Sequence, residues 1–147
     1  MTPEYENLIN SLIKDGYLKA PHIIEAFKTI DRADFILKEH KNDVYINAPL
    51  PIGFEQTISQ PLTVAFMLEL LEPKAGDKVL DIGAGSGWTV ALLAQMVGSE
   101  GKIMGIECIP ELQDMSVKNV SKYSFIEKNI VKIVCADGSK GYKLEAP

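Results

Sequence analysis

Between an apolar strand-like run, Lys78 to Ile82, and a helix-like run, Trp88 to Val97, the chain reads Asp81-Ile82-Gly83-Ala84-Gly85-Ser86-Gly87. Glycines at such a junction let the backbone take positive φ values and come close to a ligand in ways that side chains would forbid. A plain strand-to-helix turn needs no such density of glycine beside an acid. A dinucleotide turn, G-x-G-x-x-G counted from Gly83, requires glycine at position 88, and Trp88 stands there. Asp81 would repel a pyrophosphate and attract a positively charged ligand. The turn therefore favours a small cationic ligand over NAD.

From Gln60 onward strand-like and helix-like runs alternate, the pattern of a parallel sheet covered by helices. A helix over Pro61 to Leu71 precedes the strand at Lys78 to Ile82, and Gly98 and Gly101 close the helix over Trp88 to Val97. Lys102 to Glu107 reads as a second strand, Pro110 to about Tyr123 as a helix, and Val131 to Cys135 as a third strand. Two right-handed crossovers order these strands 3-2-1, half of a doubly wound, Rossmann-like α/β sheet. Upstream, Thr2-Pro3 with Leu8, Ile9, Leu12 and Ile13 predicts a capped amphipathic helix ending near Asp15-Gly16. A second helix from Pro21 would bury Ile23, Ile24, Phe27 and Ile30. From Arg32 to Glu55 the periodicity fades, and an irregular segment wrapping the surface is expected.

The 147 residues suffice for one domain with a real core, and 46% apolar with 24% charged residues describes an ordinary globular chain. A net charge of -5 with no basic run argues against a nucleic-acid partner. Acids within Met1 to Asn10 oppose a secretory signal, and charges such as Glu69 interrupt every long apolar run, so a cytoplasmic protein without membrane spans is expected. Cys108 and Cys135 lack metal or redox spacing, and their strand-like surroundings predict buried free thiols. His22 and His40 belong to no motif, and no metal site is indicated.

Three further positions complete a chemical pattern. S-adenosylmethionine carries a sulfonium and an ammonium, the charges that Asp81 would favour. Glu107, ending the second strand, could accept from both ribose hydroxyls of a nucleoside across the strand ends. Asp137-Gly138 follows the third strand, where an acid could accept from an adenine amino group or simply form an Asp-Gly turn. Ser59, ahead of Pro61, reads on its own as a helix cap.

The segment Pro51-Ile52-Gly53-Phe54-Glu55-Gln56-Thr57-Ile58-Ser59-Gln60-Pro61 is similar to the one distinctive of protein-L-isoaspartate O-methyltransferases. The resemblance extends through Arg32 to Phe35, Asp81 to Gly87, Gly105-Ile106-Glu107 with Leu112, and Asp137-Gly138 with Gly141. It implies a class I methyltransferase fold and a repair activity. The methyl group of S-adenosylmethionine would go to the free carboxylate of an L-isoaspartyl residue in a damaged protein or peptide, giving an ester that collapses to a succinimide and leaving S-adenosylhomocysteine.

By the same resemblance Ser59 is the active-site serine, and Thr57, Ile58 and Ser59 lie where cofactor and substrate meet. Asp81, Gly83, Gly85 and Ser86 would hold the methionine end, Glu107 the ribose, and Asp137 with Gly138 the adenine. Residues 1–59 would form an N-terminal helical, substrate-side segment, and 60–147 a cofactor-binding half domain, within one structural domain. A carboxylate with a pKa of about 4 is already ionised at neutral pH, so no general base or metal is needed; Ser59 would donate a hydrogen bond that aims it.

The chain departs from the family pattern at Ala84 and at Trp88-Thr89, and it stops at Pro147, before the family's later strands. An unpaired Val79 to Ile82 edge is expected, covered by a second copy or another chain. Two alternatives stand beside the repair enzyme: a catalytically silent, truncated module binding S-adenosylmethionine, and a small-molecule methyltransferase on the same fold.

Overall fold

A computed structural model describes residues 1–142. Thr2 Oγ1 accepts from the Tyr5 N–H, and Pro3 occupies the first turn, where no N–H is needed, so α1 begins as the sequence prescribes and spans Pro3–Lys14. Its buried residues Tyr5, Leu8, Ile9 and Leu12 lie at helical spacing on one stripe. In α2 (Pro21–Thr29) Ile23, Ala26 and Phe27 are buried, while Ile24 is half-buried.

The stretch expected to be irregular carries more structure than its periodicity suggests. Two short 3-10 helices, Arg32–Phe35 and Lys38–Asp43, lead into an antiparallel hairpin of β1 (Leu50–Gly53) and β2 (Gln56–Ile58). Its two-residue tip, Phe54 and Glu55, has φ of 53° and 57°. Both values belong to a type I′ turn, which Asn-Gly usually fills, so the ordinary hairpin signal is missing from the sequence. Ser59 does not cap the next helix: Gln60 is the N-cap of α3 (Pro61–Leu71), and no side chain caps it. Pro61 reduces the need, since it leaves one N–H fewer to satisfy.

The remaining elements are β3 (Lys78–Ile82), α4 (Trp88–Val97), β4 (Lys102–Glu107), α5 (Pro110–Ser121) and β5 (Val131–Cys135). Both strand pairings are parallel and the order is β3-β4-β5, with Asp81 opposite Gly105 and Glu107 opposite Cys135. This is the 3-2-1 half-sheet expected from the alternation of strands and helices. The helix after β4 stops at Ser121, two residues short of expectation.

Gly105 shows how one sheet face packs: a Cβ there would lie 3.3 Å from Val90 and Ile133 and 3.4 Å from Ala84. Val90 belongs to α4, so Asp81, Gly105 and Glu107, which alternate onto this face, lie toward that helix. Against the opposite side of α4 packs α2, with Phe27 edge-on to Trp88 at 5.6 Å. Enclosed on both sides, Val90 to Ala94 are all buried, as an all-round apolar helix requires. One core cluster runs from Tyr5 to Ile133.

The other sheet face is open at β3. Leu80 and Ile82 are 44% and 57% exposed, and β3 has a neighbour on one side only among the described residues. Phe66, Met67, Leu70 and Leu71 of α3 are also exposed. Among the described residues no helix is long and apolar enough to cross a membrane.

The cysteines correct the sequence reading: both are free, as expected, but exposed. They sit where β4 and β5 run out of the sheet, and the Cys135 thiol points at the Cys108 carbonyl at 3.8 Å. Strand ends open to solvent even when strand interiors are covered.

Left-handed backbone costs a residue with a Cβ about 1–2 kcal/mol. Replacing Phe54-Glu55 by Asn-Gly should therefore raise the unfolding midpoint by several degrees, read by thermal denaturation, because the same turn would form without that cost.

Candidate functional site

The glycine turn hangs from β4. The N–H groups of Gly83 and Ala84 both donate to the Ile106 carbonyl, at 2.8 and 2.9 Å, and the Gly85 N–H donates to Glu107 Oε2 at 2.8 Å. The Gly87 N–H closes the bend onto the Ala84 carbonyl at 2.8 Å. Gly83, Gly85 and Gly87 have φ of 85°, 55° and 94°. At Gly87, the N-cap of α4, close approach adds to this: a Cβ would lie 2.6 Å from Ser116 Oγ and 2.9 Å from Val120. From the same helix, α5, Asn119 Nδ2 donates to the Ser86 carbonyl at 3.0 Å, and Ser86 is buried.

Glu107 is 6% exposed and already carries structural load. Its Oε1 accepts from the Ile109 N–H at 3.0 Å while Oε2 holds Gly85. Each ionised oxygen has about two lone-pair sites, so each retains capacity for one further donor.

Asp81 is the electrostatic exception of the site. The residue keeps some accessible surface, but its Oδ2 is buried and has no hydrogen-bond partner among the described residues. Desolvation, followed by repulsion from Glu107, pushes its carboxyl up to about 6. Two carboxylates thus share one small volume at the carboxyl ends of adjacent strands.

The adenine-side pair is more ordinary. Asp137 Oδ1 accepts from the Ser139 N–H at 3.0 Å, capping a short 3-10 helix over Gly138–Lys140; this bond holds its carboxyl below the usual range. Gly138 lies against the open sheet face, where a Cβ would meet Ile82 Cγ2 at 2.4 Å. Glycine is required there for packing, whatever else it does.

Thr57 and Ser59 are exposed, whereas the Ile58 side chain is buried in the core, so only its backbone is free to face a ligand. The hairpin meets the turn through Ile52, whose Cδ1 lies 3.4 Å from where a Cβ on Gly85 would stand. The structure therefore joins Asp81, Gly83, Gly85, Ser86 and Glu107 directly, and sets the hairpin beside them. Two surface hollows, one lined by Tyr17, Lys19, Phe66 and Glu69 and one by Ala75, Val97 and Ser99, share no residue with the turn. Among the described residues no three His, Cys, Asp or Glu side chains gather as metal ligands.

Sequence reasoning missed the supports behind the turn. Ser116 and Asn119 stand four and seven residues after Leu112, polar residues inside the buried stripe of α5. That misplacement in the helical pattern is the signal that could have found them.

Three parallel strands, a glycine-rich turn after the first and an acid ending the second define half of a class I methyltransferase fold. The model for protein-L-isoaspartate(D-aspartate) O-methyltransferases matches residues 3–147, and the chain belongs to that family. A relative from Methanopyrus kandleri, a protein-L-isoaspartate O-methyltransferase, is 41% identical over 97% of this chain, which spans 62% of the relative's length. A solved protein-L-isoaspartate O-methyltransferase superposes with a TM-score of 0.85 at 30% identity, covering 97% of this chain and 45% of that one. A Plasmodium falciparum structure, described as a protein of the same activity in complex with S-adenosyl-L-homocysteine, shares the fold with a TM-score of 0.84 at 22% identity; it is covered to 66% and this chain to 96%.

The Asp81 shift has a testable sign. Because the folded-state pKa is raised above the carboxyl's ordinary value of 3.8, the folded chain keeps a proton that the unfolded chain has lost between about pH 4 and 6. Stability from this group is fully present below pH 4 and falls as pH rises through 6. A rise from 3.8 to about 6 corresponds to about 3 kcal/mol at most. Asp81→Asn should unfold at a higher temperature than the parent at pH 7, with the difference closing as pH drops to 4, as read in melting curves across pH.

Proposed function

We propose that this chain binds S-adenosylmethionine on the glycine turn and serves methyl transfer to the free carboxylate of L-isoaspartyl residues in damaged proteins and peptides. The observation that carries the reading is the Asp81 carboxyl beside Glu107, buried at Oδ2 without a partner among the described residues while the residue keeps accessible surface from which a cation can approach. A neutral or anionic ligand would leave that charge uncompensated, whereas the ammonium of the methionine end supplies the missing partner.

On this reading Asp81, with Gly83, Gly85 and Ser86 of the turn, holds the methionine portion. Glu107 accepts the ribose hydroxyls with the lone pairs that Gly85 and Ile109 leave free, and Asp137 with Gly138 borders the adenine. Thr57, the Ile58 backbone and Ser59 form the ledge where substrate meets cofactor. Residues 1–59 are thus the substrate side and 60–147 the cofactor side. When bound, S-adenosylmethionine supplies an electrophilic methyl carbon whose bond to sulfur breaks as the carboxylate oxygen takes it, leaving S-adenosylhomocysteine.

The protein's own part is orientation and exclusion of water. The Ser59 hydroxyl donates to one carboxylate oxygen and leaves the other aimed at the methyl carbon; because the nucleophile is ionised at neutral pH, no side chain needs to remove a proton. The approaching charges are opposite, so a dry site strengthens their attraction. A cytoplasmic setting belongs to the same proposal, carried by the interrupted apolar runs of the sequence.

The test is labelled methyl transfer to an isoaspartyl peptide, with the matched aspartyl peptide as control. Base-labile label on the isoaspartyl form alone is expected, reduced roughly 10-fold or more in Ser59→Ala, a loss typical of a removed positioning hydrogen bond. Label on neither peptide with calorimetric binding of S-adenosylhomocysteine intact would leave the silent module. Label on the control as well would remove isoaspartyl specificity and point to a different acceptor.

A second element of the proposal concerns the open edge. Leu80 and Ile82, half exposed on a strand with one free side among the described residues, favour a second polypeptide over water. For the chain alone in solution the available partner is a second copy. Light scattering should give at least twice the 16.2 kDa chain mass, falling to the monomer in Leu80→Lys/Ile82→Lys. A monomeric parent chain would overturn this.

A further inference from the structure

Among the described residues the buried guanidinium of Arg32 belongs to no ion pair. It is 0% exposed, and its Nη1 donates to the carbonyls of Val44 and Ile46, at 2.6 and 3.2 Å. Its Nη2 donates to the carbonyls of Ala48 and Ser59, at 2.8 and 3.3 Å. The Cζ lies 5.4 Å from the centre of the Trp88 ring. The Lys122–Asp34 ion pair and the His40–Glu39 contact lie elsewhere.

A bare buried cation is costly, and cores ordinarily avoid it unless a carboxylate compensates. Here four carbonyl dipoles and one aromatic face stand in for the carboxylate. Those five groups come from three places far apart in sequence: the strap over residues 44–48, the Ser59 ledge, and the first residue of α4 directly after the glycine turn. A planar fork reaches several carbonyls at fixed angles, which a lysine point charge cannot do.

We propose that Arg32 is a positioning residue that sets the Ser59 ledge at a fixed distance from the glycine turn, with Trp88 as the surface against which it is seated. The consequence for chemistry, which rests on the methyl-transfer reading above, is that Arg32 governs turnover and leaves cofactor affinity nearly untouched. The turn has its own supports in Ile106, Glu107 and Asn119, so it survives loss of the fork. The ledge does not, because the Ser59 carbonyl and the strap that Leu62 and Gln60 tie to Asn47 lose their common anchor.

Arg32→Lys keeps the charge and removes the fork, and Arg32→Met removes both; should the latter fail to fold, the former decides. Three readings are taken on the full chain. Hydrogen exchange of the Ile58 and Leu62 amides should accelerate at least 10-fold in Arg32→Lys, while the Gly83 and Ala84 amides keep their protection. Calorimetric affinity for S-adenosylhomocysteine should change less than 3-fold. With the parent chain active on isoaspartyl peptide, kcat at saturating cofactor should fall at least 10-fold. Unchanged exchange at the ledge, or a loss of cofactor affinity matching the loss of kcat, would overturn the proposal and reduce Arg32 to a general support of the fold. An inactive parent chain would count against the functional reading alone, and the exchange and affinity data would still decide the role of Arg32.

Discussion

A single β4 segment, Ile106 and Glu107, holds the glycine turn in place. One carbonyl takes two N–H groups of the turn and one carboxylate takes a third, so the bend is fixed by the strand beside it and not by the ligand it would serve. That arrangement brings Asp81 and Glu107 together on the covered face of the sheet. Glu107 cannot swing away without releasing Gly85, and burial, then repulsion from Glu107, raises the Asp81 carboxyl. Two carboxylates held in this way are set in place before any ligand arrives, the preorganisation that the proposed binding of a cation requires.

The remaining elements follow from supporting that bend. Packed between the sheet and α2, α4 presents Trp88 to Arg32; α5 fills the space behind Gly87 so closely that no side chain fits there. The N-terminal helices are therefore part of the site's architecture. Tyr5 stacks on Tyr45 at 4.9 Å and donates to the Ile30 carbonyl, and Tyr45 and Tyr123 reach Asp31 and Asp34. This network fixes where residues 31–48 leave the core, and with them the strap that reaches the ledge.

Strands and helices from Gln60 onward were legible because hydrophobic period and turn residues agree there: Lys78–Ile82, Trp88–Val97, Lys102–Glu107 and Val131–Cys135 emerge with the expected bounds. The turn and Glu107 were legible for the same reason. What escaped depends on tertiary contacts. The β1–β2 hairpin was hidden because Phe54-Glu55 carries no turn signal, and Arg32 because its partners are carbonyls, which any sequence can supply. Ser59 looked like a helix cap only while the position of Gln60 was unknown, and the thiols looked buried only while the strand ends were. Family resemblance pointed to Ser59 and to the Arg32 to Phe35 stretch by matching residues, without the forces that hold them.

Occupancy of the turn by a cationic nucleoside donor is the claim on which the account turns, and Asp81 reports it directly. With carboxyl carbons labelled, the Asp81 resonance can be titrated by NMR in the free chain and with saturating S-adenosylhomocysteine, whose ammonium matches that of the donor. The free chain should titrate near 6 and the complex well below it, since the paired charge stabilises the carboxylate. A titration left unmoved by the ligand would contradict the account.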